Sequence, residues 1–139
     1  LRDHAPASGS AMEAADINWV AFDEAAIPGM VAAGKTVFVD VTADWCITCK
    51  FNKAAVLDQG LVADFLQSQD VVALRADWTK PDPAIAAYLA KHGRYGIPFN
   101  IIYGPSRPGG VVLPELLSTG GVLQAAVDAG ADRRWAAAE

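Results

Sequence analysis

The sequence predicts an α/β fold, a central mixed β-sheet with helices on both faces. Three observations carry that expectation. Apolar runs rich in β-branched residues, Thr36 to Thr42, Val71 to Asp77 and Phe99 to Tyr103, read as strands. The segments between them place apolar residues at helical spacing. Glycine, proline and aspartate punctuate the joins. Strands that alternate with helices imply a largely parallel sheet covered on both sides, and two successive strands near the end supply an antiparallel edge.

The elements follow in order. Residues 1–16 are small, polar and unpatterned and read as a linker or cloning remnant. Ile17 to Phe22 suits a strand. Asp23 can cap a helix from Glu24 to Ala33, with Pro28 as a kink or late start and Gly34 as its stop. Strand 36–42 leads into a helix that carries both cysteines and runs to about Leu57. Asp58-Gln-Gly60 breaks it, and Leu61, Val62, Phe65 and Leu66 continue as a second helical segment. After strand 71–77, Asp82 and Pro83 fit the N-cap and first position of a helix that buries Ile85, Tyr88 and Leu89 and ends at Gly93. Strand 99–103 is entered through Ile97-Pro98. Gly104 to Gly110 reads as a turn-rich connector, and Gly110 to Leu113 as a strand stopped by Pro114. Ser118 or Thr119 caps a last helix that buries Val122, Leu123, Ala126 and Val127 and stops at Gly130. The domain is therefore expected over residues 17–130, with 131–139 as a frayed tail.

At 139 residues the chain can bury roughly two-thirds of its unfolded surface as one domain. Its net charge of −5 argues against nucleic acid or an anionic membrane surface as partner. No apolar run approaches the roughly 18 residues of a membrane span, and no signal-peptide pattern opens the chain, so a soluble monomeric domain is expected, with its targeting information elsewhere.

Cys46-Ile47-Thr48-Cys49 holds the only two cysteines. A strand, a short turn and a paired thiol at the head of a helix make a redox-site arrangement. Free backbone N–H groups and the positive end of the helix dipole favour thiolate at Cys46. Cys49, one turn on, can close a disulfide with it. Cys46 is expected to be the more exposed and to attack, and Cys49 to resolve the mixed disulfide. The competing readings are an inert pair or a metal clip. A metal site wants about four ligands, and the only histidines are His4, in the linker, and His92, at a helix end far along the chain.

Three further residues are candidates. Trp45, on the turn before the attacking thiol, reads as an aromatic that shields the sulfur and contacts partners, against plain packing. Asp40 lies inside an apolar strand, where a carboxylate is costly without a partner or a role. It reads as a buried acid that exchanges a proton with Cys49, or else as an acid tied to a backbone donor or a lysine. Pro98 stands between a loop and a strand, downstream of the cysteine pair. Its bond to Ile97 is expected to be cis, against an ordinary trans loop proline. Ile97 then offers backbone to a partner's extended chain. Trp78 and Tyr95 read as packing residues, and Lys50 and Lys53 as solvated.

Thr42 to Lys50 resembles the active-site segment of thioredoxin-like proteins. The resemblance is closest to the C-terminal periplasmic domain of the DsbD/ScsB family of transmembrane thiol:disulfide interchange proteins. Arg75-Ala-Asp-Trp-Thr79, Asp82-Pro-Ala-Ile85 and Gly93-Arg-Tyr-Gly-Ile-Pro98 leading into Ile101-Ile-Tyr103 support it. The resemblance implies a thioredoxin-like fold and a protein-disulfide reductase. It implies electrons received from a transmembrane domain of the same protein and passed to an N-terminal periplasmic domain or to periplasmic thioredoxin-like proteins. Cys46 and Cys49 would be the redox pair, with no other cofactor, Asp40 the buried acid and Pro98 the cis proline. The location implied is the periplasm, as a domain of an inner-membrane protein. Two features depart from the pattern. Ile47-Thr48 replaces the Gly-Pro of thioredoxins, and Asn52 and Lys53 stand where better-known DsbD domains carry an acid. The alternatives are a free-standing or anchored thioredoxin-like reductase for cytochrome c maturation or oxidative defence, and a metal-binding module.

Overall fold

The computed structural model describes residues 15–138. Residues 1–14 of the expected linker lie outside that range. Five strands form one mixed sheet in the order β1-β3-β2-β4-β5. They are β1 (Trp19–Ala21), β2 (Thr36–Thr42), β3 (Val71–Asp77), β4 (Phe99–Gly104) and β5 (Arg107–Val112). The helices are α1 (Ile27–Ala32), α2 (Ile47–Asn52), α3 (Gly60–Leu66), α4 (Pro83–Lys91) and α5 (Thr119–Ala129).

Strands β1, β3 and β2 are parallel, but β4 runs antiparallel to β2 and β5 antiparallel to β4. The sheet is thus less parallel than the alternation of strands and helices implies. The reason is where the connector after β3 ends. Phe99 begins β4 opposite Val41, at the end of the sheet where β2 and β3 finish, so β4 has to run back.

Side-chain alternation along the central strands divides the core in two. Phe38, Ala73 and Ile102 face a layer with Leu57 from the turn that follows α2, Phe65 from α3 and Leu123 from α5. Val37, Val39, Leu74 and Ile101 face the opposite layer with Val31, Tyr88 and Leu89. Residues on both faces of β2 are buried, which suits its unbroken apolar run.

Local signals fix most boundaries. Asp82 accepts the N–H groups of Ala84 and Ile85, at 3.0 and 3.2 Å, and Pro83 opens α4. Ser118 caps α5 by accepting the Gly121 N–H at 3.1 Å. Asp23 makes no side-chain cap; a 3-10 turn, Glu24–Ala26, precedes α1, so Pro28 marks a late start and not a kink. The cysteine helix continues past Asn52 as a π-turn, Lys53–Leu57. Gly104 is obligatory for space: a Cβ there would meet the Ala129 carbonyl oxygen at 2.2 Å, where β4 passes the end of α5. The 104–110 connector proves to be mostly strand, because Gly104 already pairs with Arg107 around a two-residue turn.

The C-terminal segment is not frayed. Arg133–Ala138 forms a 3-10 helix, and Trp135, 9% exposed, packs edge-on against Phe65 with ring centres 5.5 Å apart. Val127, expected in the core, is only half-buried.

Trp135→Ala should lower unfolding stability by about 3 kcal/mol, the scale of an aromatic removed from a core. Urea unfolding measures it, and a loss near zero would mean that the C-terminal turn is not part of the core.

Candidate active site

The paired cysteines stand where β2 delivers the chain to α2. Cys46 has extended backbone and is the N-cap; its sulfur accepts the Cys49 N–H at 3.1 Å. A sulfur in that position is met by the N–H groups a helix start leaves unpaired, which favours its anion. The two sulfurs are joined in a disulfide, with Cα atoms 5.2 Å apart.

Cys46 is not the more exposed of the two. Cys46 is 6% exposed and Cys49 5%, and both pack with Ala43 and the half-buried Ile97. What is exposed is the rim. Trp45, Phe51 and Leu116 are open to solvent, and Ile47 and Tyr95 are each 82% exposed. Tyr95 is therefore no packing residue, whereas Trp78 does pack against the core.

The turn that presents Cys46 is latched to the end of β3. The Asp44 N–H donates to Thr79 Oγ1 at 2.9 Å, and Trp45 Nε1–H donates to the Thr79 carbonyl at 3.2 Å. Thr79 in turn donates its N–H and hydroxyl to Asp77 Oδ1. Those bonds hold the Asp77 carboxyl below its ordinary range. Trp45 is thus exposed yet tethered. On the other flank the Ile97–Pro98 peptide is cis, Pro98 is buried, and Ile97 is the side chain laid against the cysteines.

Beneath the helix, Asp40 is buried and fully bonded. Arg75 Nε and Nη2 donate to its Oδ2 at 3.1 and 2.9 Å, and Asn100 Nδ2 donates to its Oδ1 at 2.8 Å. The partner is an arginine on the next strand, not a lysine or a backbone donor. Burial pushes the Asp40 carboxyl up, against the opposing pull of Arg75, Asn100 and the more distant Lys53. Lys53 is not simply solvated: it pairs with the buried Asp58 at 2.8 Å.

Arg75, Asn100, Thr79 and Asn52 escape a reading by local pattern. Asn52 is buried; its amide donates to the Glu115 carbonyl at 2.8 Å and accepts the Leu117 N–H at 3.1 Å, fixing the loop that carries Leu116 to the cysteine helix. The one available signal was charge: Arg75 and Asp40 each interrupt an apolar strand, and two such residues in neighbouring strands satisfy each other.

A model of a family described as thioredoxin-like matches residues 18–105, which include both cysteines, Asp40 and Pro98. The chain belongs to the thioredoxin-like family. Within it, the chain is 34% identical over 82 residues to thiol:disulfide interchange protein DsbD 1 of Pseudomonas aeruginosa, covering 59% of this chain. It is 35% identical over 99 residues to DsbD of Yersinia enterocolitica, covering 66% of this chain. The matches span only 14% and 17% of those two relatives. The reduced C-terminal domain of DsbD from Neisseria meningitidis has the same fold, with a TM-score of 0.58 and 25% identity over 79% of this chain and 99% of that one. The likeness to DsbD read from the sequence segments agrees with all three. In this thioredoxin-like chain the Asp77–Thr79 segment is the support of the cysteine turn, which gives that part of the resemblance a physical basis.

The sign of the pH effect at Asp40 follows from its raised carboxyl. Between its unfolded value and the higher folded one, the native state binds more protons, so its contribution to stability falls as pH rises. The stability of Asp40→Asn relative to the unaltered chain should therefore grow with pH and then level off. Urea unfolding between about pH 4 and pH 8 checks this. A constant difference would mean that the carboxyl titrates alike in both states.

Proposed function

We propose that this chain is the electron-relay domain of a larger membrane-anchored thiol:disulfide interchange protein and works in the periplasm. It takes two electrons from a transmembrane domain of the same protein. It gives them to an N-terminal periplasmic domain or to periplasmic thioredoxin-like proteins. The electrons are held by the Cys46–Cys49 pair itself, with no further cofactor. The observation that carries the reading is the disulfide at the helix start, with the Cys46 sulfur bonded to the Cys49 N–H. Kinship with DsbD supports the direction of the relay. Among the described residues no helix is long and apolar enough to cross a membrane.

The chemistry is thiol–disulfide exchange. In the reduced domain, the Cys46 thiolate attacks one sulfur of the acceptor's disulfide. An S–S bond forms to Cys46, and the acceptor's other sulfur leaves as thiolate. Cys49 then loses its proton and attacks the Cys46 sulfur. The Cys46–Cys49 bond closes, the mixed disulfide breaks and the second acceptor sulfur leaves. The acceptor's two thiolates take up two protons. The acceptor is reduced by two electrons and the domain is oxidised by two.

Exchange requires sulfurs to approach to bonding distance, about 2 Å. An acceptor must therefore cover the rim of Trp45, Ile47 and Phe51. Because that rim is apolar and exposed, a protein acceptor that buries it should react faster than a small disulfide of equal potential, which cannot. Ile97, beside the pair, offers its backbone to an extended segment of the acceptor.

Three measurements test the reading. The reduced domain, mixed with its oxidised N-terminal partner domain, should exchange much faster than with oxidised glutathione; equal rates would count against a relay. Cys46→Ser should abolish turnover, and Cys49→Ser should accumulate mixed disulfides seen by non-reducing electrophoresis. Full activity in both variants would remove the mechanism. Phe51→Ser should slow exchange with the partner domain several-fold and leave the glutathione rate unchanged; parallel loss in both would place Phe51 in the fold and not in docking.

A further inference from the structure

Asp40 sits in a row that crosses three strands. Arg75 of β3 and Asn100 of β4 are its direct neighbours in register. The row faces the helix layer, because Ala73, Phe38 and Ile102, each two residues away on the same strands, pack there. Trp19 of β1 closes its outer end, with the Arg75 guanidinium 3.8 Å from its ring centre. Arg75 is held on one side by an aromatic face and on the other by two bonds to one carboxylate oxygen.

Arg75 also shares a cavity with Cys49. It lines a cavity of about 220 Å³ together with Cys49, Lys50, Lys53, Asp44 and Asp77. Cys49 lies in the first turn of α2 and is buried. The residue that pairs with the Asp40 carboxyl thus also borders the space beside Cys49, the thiol that must lose a proton.

We propose that Arg75 is a positioning residue for thiol exchange: held between Trp19 and Asp40, it fixes when the buried carboxyl is ionised and hence the pH range in which Cys49 can give up its proton. This rests on the thiol-exchange reading above. The groups acting on Asp40 are Arg75 from β3, the Asn100 amide from β4 and Lys53 from the π-turn. Arg75 is the nearest full charge and opposes burial. An opposite charge this close lowers a carboxyl by about 1–3 pH units. Without it, burial would keep Asp40 protonated to higher pH; in this proposal Asp40 is the acceptor of the Cys49 proton, a role that a protonated carboxyl cannot fill. Asn100 is suited to both states. Its Nδ2 serves the carboxylate, while its buried Oδ1 has no partner, and a half-turn of the amide would offer that oxygen to a protonated carboxyl.

The test uses the full chain with Arg75→Met, Arg75→Lys, Asp40→Asn and the double variant Asp40→Asn/Arg75→Met. Two quantities are followed against pH: the carbon-13 shift of the Asp40 carboxyl, and the rate at which the reduced chain is oxidised to its internal disulfide by oxidised glutathione. Arg75→Met should move both midpoints upward together, by about tenfold or more in proton concentration. Arg75→Lys should restore most of the shift. In the Asp40→Asn background, Arg75→Met should leave the exchange profile where it was. The role of Arg75 is overturned if the exchange profile stays fixed while the carboxyl midpoint moves, or if it shifts equally without Asp40. Should Arg75→Met fail to fold, Arg75→Lys and the comparison of the double variant with Asp40→Asn decide the matter by the same criteria. An unaltered chain that does not exchange at any pH overturns the thiol-exchange reading itself, whereas normal exchange with an unmoved profile overturns only Arg75.

Discussion

Strand β2 has no free side. Its edges are taken by β3 and β4, and core lies against both faces. A charge inside it can be satisfied only by its neighbours in register, and Asp40 meets that condition through Arg75 and Asn100. This constraint ties the sheet to the site. The register that pairs the three polar residues also brings β2 and β3 to the same end, so that Thr79 stands beside the turn before Cys46. A slip of one residue would turn Asp40 into the opposite layer, away from Arg75 and Asn100.

The reactive centre is assembled from parts with different reach along the chain. The bond from the Cys49 N–H to the Cys46 sulfur is local. The Thr79 latch, the cis peptide before Pro98 and the Asn52 clamp on residues 115 and 117 come from distant elements. Together they hold a disulfide that is nearly covered within a rim of exposed apolar side chains.

Features set by local chemistry were legible in the sequence. The bounds of β2 and β3, the Asp82–Pro83 start of α4, the Gly130 stop and the cysteine pair at a helix head all follow from neighbouring residues. The cis bond before Pro98 and the buried Asp40 were expected, and the geometry contains both. What was not legible depends on partners far along the chain. Arg75 as the counterion of Asp40 needs the strand register. The direction of β4 depends on where a loop ends, which periodicity does not encode. Proline and glycine in Arg107–Val112 hid a strand whose partner, β4, supplies the hydrogen bonds. Trp135 lies in an alanine-rich segment without period, and only the nearby Phe65 makes it a core residue. The near-equal covering of Cys46 and Cys49 follows from their bond and from Ile97, not from their positions on the helix.

The Thr79 latch has a consequence for how the molecule is made. The bonds from Asp44 and Trp45 span 35 and 34 residues. A chain emerging from the ribosome therefore carries both thiols well before it can build their setting. Contacts of such separation form late, once the intervening strand has docked. Reactivity is thus a product of finished folding, and an immature chain offers only ordinary cysteines.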